Sequence, residues 1–118
     1  MSPLGCLPMV EVHVRKDGSN RLSSFLATGH AGWADSGADV VCAAVSTVLQ
    51  AAWLGLSEVA KVKVEASKES GRMTLAWPER SRDSDAVRAI VATAALSVER
   101  IAMQYPEHVR VIHERDDG

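Results

Sequence analysis

The sequence predicts an α+β domain of order ββαββαβ, a mostly antiparallel sheet of about five strands with two helices packed on one face. Two observations carry this. Pairs of short segments alternate apolar and polar residues about a glycine-bearing turn, and each pair precedes a long segment whose apolar residues recur at steps of three and four.

Met9 to Lys16 alternates Val10, Val12 and Val14 with Glu11, His13 and Arg15, the period of a half-buried strand. Lys16-Asp17-Gly18-Ser19 supplies a turn, with Gly18 free to take positive φ. Arg21 to Thr28 forms the second arm, with Leu22, Phe25 and Leu26 as its apolar residues. The glycine-dotted stretch Ala31 to Ala38 exceeds the usual connection of about 4–6 residues and reads as a mobile lid between Gly32 and Gly37.

Asp39 is the expected N-cap of the first helix, which puts Cys42 at the third helical position. Val41, Val45, Val48, Ala52 and Leu56 make one apolar stripe, while Ala44, Leu49 and Trp53 make a second face apolar too. Such a helix needs cover on more than one side. Gly55 and Ser57 mark its end. Val62, Val64 and Ala66, then Met73, Leu75 and Trp77, alternate about the turn Lys68-Glu69-Ser70-Gly71 and predict a second hairpin. Asp83 or Ser84 caps the second helix, built on Val87, Ile90, Val91, Ala94, Val98 and Ile101, which must end before Pro106. Val109, Val111 and Ile112 form the last strand. The whole chain, 1–118, reads as one domain, with 1–8 as a disordered N-terminal extension.

Lys+Arg 13 against Asp+Glu 15 leaves no broad basic field, so nucleic acid is not an expected partner. The uncharged run Val40 to Ser57 approaches the length of a membrane span, but Ser46, Thr47, Gln50 and Gly55 favour a helix buried in protein, and no membrane partner is expected. Two cysteines, Cys6 and Cys42, are too few for a disulfide framework, which points to a reducing cytoplasm. Trp53 and Trp77 read as core, and His13, His108 and His113 as solvent-facing.

The chemistry concentrates in the segment from Gly29 to Ser46. His30 and Cys42 are separated by eleven residues, yet a strand end and a helix start joined by a loop lie at the same edge of a sheet. A thiol of ordinary pKa, about 8.5, is only about 3% thiolate at pH 7, so a nucleophilic cysteine needs help. First-turn amides and a protonated His30 would both favour the anion, and the amides of Val41 and Cys42 would stabilise an oxyanion. His30 then serves as base and later as acid. Asp39 and Asp35 are acidic candidates to orient it, and for Asp39 a plain capping role is an equal reading. Ser46, one turn beyond Cys42, bonds a nearby group or its own backbone. Trp33 is a large apolar group in the loop, placed to contact substrate. Metal binding by His30, Cys42, Asp35 and Asp39 lacks the closely spaced Cys or His ligands of structural zinc, so neither metal nor other cofactor is expected.

Gly29-His30-Ala31-Gly32, Trp33, Gly37, Asp39 and the run Val40-Val41-Cys42-Ala43-Ala44-Val45-Ser46 closely resemble the ribosomal-processing cysteine protease Prp family, over Met9 to about Val111. The resemblance implies a homodimeric endopeptidase that removes a short N-terminal extension from the twenty-seventh large-subunit ribosomal protein. It maps the nucleophile to Cys42, the base to His30, and assisting positions to Asp39 and Ser46. Gly29 and Trp33, beside them in the loop segment, are the expected substrate-binding residues. The competing reading, a non-catalytic ribosome-associated binding or assembly factor, requires the same fold but no reactive thiol.

Overall fold

The computed structural model describes residues 9–29, 36–69 and 71–116, with 36–39 as backbone alone. The elements are β1 (Val10–Lys16), β2 (Leu22–Thr28), α1 (Ser36–Leu54), β3 (Glu65–Glu69), β4 (Arg72–Ala76), α2 (Asp85–Gln104) and β5 (Val109–Arg115). The five strands form one sheet in the order β3-β4-β2-β1-β5. Three of its pairings are antiparallel, and β5 joins β1 in parallel. That exception follows from connectivity, because α2 carries the chain back along the sheet before β5 begins.

The alternation in β1 buries Val10, Val12 and Val14. In β2 the inward residues are Ser23, Phe25 and Ala27, so Leu26, though apolar, stands on the other face beside His13 and Thr74. Buried Ser23 is accommodated because its hydroxyl donates to the carbonyl of Arg15, 3.2 Å away. Phe25 and Trp77 meet edge to face with ring centroids 5.2 Å apart, and the Trp77 indole donates to the Leu22 carbonyl. Trp53 departs from expectation at 38% exposed. The buried stripe of α1 runs Val41, Val45, Leu49, Ala52 and Leu56, with Val48 only half-buried, which turns Trp53 away from the sheet.

The hairpin turn between β1 and β2 places Asn20, rather than Gly18, at positive φ (66°). Asp17 fixes it by accepting from the amides of Ser19 and Arg21. Asp17 also pairs with the guanidinium groups of Arg21 and Arg82, and Arg21 reaches on to Glu79 and Asp83. Burial alone would raise the Asp17 pKa, but the Arg21 amide, the Arg82 side chain and the Ser19 amide outweigh it and bring it from 3.8 to about 2.

The second hairpin sits further along the chain than the alternation predicts. Helix α1 does not stop at Gly55 but continues as a π-helical turn, Gly55–Val59. Lys61 then takes positive φ (59°) and the Val62 amide donates to the Leu56 carbonyl, so 61–64 complete the helix exit and β3 begins only at Glu65. Ser84 caps α2 by accepting from the Val87 amide, and the helix ends at Gln104, ahead of Pro106. The sheet face away from the helices is polar. His13 there is half-buried rather than solvent-facing and bonds Glu114 at 2.9 Å, while His113 is exposed and paired with Glu99. His108 is also half-buried, its Nδ1 without a partner among the described residues. The bonds from His13 and Arg15 hold the Glu114 carboxyl below its usual range.

Candidate active site

The site is organised by the end of β2 and the start of α1. Gly29 closes β2 at φ 99°, a geometry glycine adopts without strain, and its amide donates to the Gly71 carbonyl at 3.0 Å. This bond ties the departure point of the chain to the β3–β4 hairpin. His30, Trp33 and Asp35 lie outside the described residues, as does Cys6. The candidate lid, 31–38, is described only from Ser36, where it is already helix, so Gly37 belongs to the first turn of α1 and not to a hinge.

The early helix start corrects the position of the thiol. With α1 beginning at Ser36, Asp39 is the fourth helical residue rather than the cap, and Cys42 is the seventh. In a continuous helix the amides of Val41 and Cys42 face the carbonyls of Gly37 and Ala38, so they are not spare donors for an oxyanion. The dipole effect also fades beyond the first turn. Of the stabilising groups expected from the sequence, the first-turn amides are therefore not available to Cys42.

Along α1 the exposure pattern repeats every four residues, with Ala44 and Val48 forming a second half-buried stripe. Val41, Val45 and Leu49 are buried, Cys42, Ser46 and Gln50 are half-buried beside them, and Ala43, Thr47 and Ala51 are exposed. Steps of four keep each set on one face. The thiol thus stands at the border between core and solvent, with a polar ladder running down the helix behind it. Within that ladder the Gln50 side-chain amide donates to Ser46 Oγ at 2.8 Å. Sequence reasoning placed Ser46 near the thiol but missed Gln50, although its spacing of four from Ser46 on an uncharged helix is a readable signal.

A family profile described as Cysteine protease Prp matches residues 9–110. The chain belongs to the Cysteine protease Prp family. The Ribosomal processing cysteine protease Prp of Bacillus subtilis (strain 168) is 28% identical over 108 residues, spanning 87% of this chain and 96% of that one. Among solved structures, SMU.848 from Streptococcus mutans superimposes with a TM-score of 0.83 at 25% identity, covering 92% of this chain and 96% of the other. An essential ribosomal processing protease Prp from S. aureus, solved with a substrate peptide, gives 0.75 at 19% identity over 89% and 99%. Its likeness supports the ββαββαβ fold. Prp membership makes the chain a cysteine protease, and the reading as a non-catalytic binding factor gives way to it.

Proposed function

We propose that the chain is the endopeptidase that trims the N-terminal extension of the twenty-seventh large-subunit ribosomal protein. The carrying observation is Cys42, half-buried at the core edge of α1 within the matched region 9–110, twelve positions after His30. In this reading the Cys42 thiolate attacks the scissile carbonyl, forming an S–C bond and an oxyanion. Protonated His30 then gives its proton to the departing amine as the C–N bond breaks, leaving a thioester. His30 next takes a proton from water, which attacks the thioester, and the C–S bond breaks to release the acid and restore the thiolate beside protonated His30. Asp39 and Ser46 assist, Gly29 and Trp33 contact the substrate, and no metal or other cofactor takes part.

The enzyme works in the cytoplasm as a homodimer, with neither nucleic acid nor membrane as partner. The outward face of the helix layer supports the dimer. Val40 (64%), Leu54 (62%) and Leu96 (61%) are exposed on the helices, which also line an apolar groove of about 420 Å³ with Val48, Ala51, Gly55, Ala89, Ile90 and Thr93. Val40–Val59 is apolar and long enough to cross a bilayer, yet its buried stripe fills the core against the sheet.

Digestion of the purified precursor ribosomal protein tests the substrate. Sequencing the product should find one new N-terminus, ahead of the mature basic segment. A precursor left intact by an enzyme that cleaves other peptides would contradict the substrate assignment while leaving the protease standing.

A further inference from the structure

Ser46 is engaged differently from Ser57, Thr93 and Ser97. Ser57, Thr93 and Ser97 each donate to the carbonyl four residues back, at 2.7–2.8 Å, the usual way a helical hydroxyl is satisfied. Ser46 instead accepts a hydrogen bond from Gln50, and both residues share the half-buried stripe that begins at Cys42. A serine oxygen has two acceptor sites and one proton. With Gln50 donating from the C-terminal side, the proton is left for the N-terminal side. Helical side chains lean toward the N-terminus, so the group one turn up on that face is Cys42.

We propose that Gln50 is a positioning residue: it orients the Ser46 hydroxyl so that its proton is donated to the Cys42 sulfur, favouring the thiolate. The inference rests on Cys42 being the nucleophile of the proposed function. A hydrogen bond to the charged form favours that form, and a donor already engaged as acceptor is a stronger donor. This supplies by side chains what the first-turn amides cannot, since Cys42 is the seventh residue of α1. Gln50 touches neither substrate nor sulfur. Its effect passes through Ser46.

The test is the pH dependence of Cys42 alkylation by iodoacetamide, read by peptide mass so that Cys6 is scored separately. Ser46→Ala should move the alkylation midpoint to higher pH by about half a unit, roughly a threefold loss of thiolate below the midpoint. Gln50→Met, similar in volume but without a donor, should move it the same way. Gln50→Glu should do so too, because a carboxylate there takes the Ser46 proton for itself. In a Ser46→Ala background, Gln50→Met should add nothing. A midpoint unmoved by Gln50→Met, or moved as far without Ser46 as with it, would overturn the proposal. The readout needs no substrate, so failure of the assignment of Cys42 as nucleophile shows separately, as precursor cleavage that persists in Cys42→Ala.

Discussion

The reactivity proposed for Cys42 depends on neighbours that sequence alone locates unevenly. The motif residues were legible as types, because a thiol, an imidazole and a serine at those spacings suit acyl transfer whatever the fold. Their environment was not. Asp39 satisfies the grammar of a helix cap, and nothing local tells that the helix begins three residues earlier, so the amides credited with stabilising the thiolate are already paired. His30 and Trp33 lie outside the described residues. Asp17 gives a prediction at the same scale. Its pKa is about 2 when folded against about 3.9 when unfolded, so its charge stabilises the fold above pH ~4, and that contribution is lost as pH falls through about 2. Asp17→Asn should therefore be less stable than wild type at pH 7 by denaturant titration, and the gap should close between about pH 4 and 2.

Elements were readable where periodicity and caps agree. β1 alternates strictly and α2 is capped by Ser84 and stopped by Pro106, so both fall where their sequences put them. Ser84→Ala should cost about 1 kcal/mol in thermal or denaturant unfolding, the usual loss for a removed cap. β3 was displaced because Val62 and Val64 alternate like a strand while their segment is held to the end of α1 through the bond from Val62 to Leu56. The phase of α1 was ambiguous for another reason. A helix without charges has no polar face to orient it, and the sheet buried Val41, Val45, Ala52 and Leu56 of the first stripe together with Leu49 of the second, leaving Trp53 exposed. Leu49, 1% exposed, is thus a core residue, and Leu49→Ala should cost about 2–5 kcal/mol.

The whole molecule has two unlike faces. The open sheet face carries ion pairs such as Arg15–Glu114 and Glu11–Arg110, while the helices leave Val40, Leu54 and Leu96 exposed and line an apolar groove. The sequence carries one half of that asymmetry, since the uncharged α1 offers apolar residues on more faces than one sheet can cover. Light scattering at micromolar concentration should give the mass of a dimer, and Leu54→Glu with Leu96→Glu should yield a folded monomer. A monomeric wild type would remove the interface. The central claim, that Cys42 is the nucleophile of a peptide hydrolase, is tested most directly by intact-mass analysis during turnover of the precursor with rapid acid quenching. The account predicts a transient adduct of the released segment, mapped to the peptide carrying Cys42, and no adduct and no cleavage with Cys42→Ala. Undiminished cleavage by Cys42→Ala would contradict it.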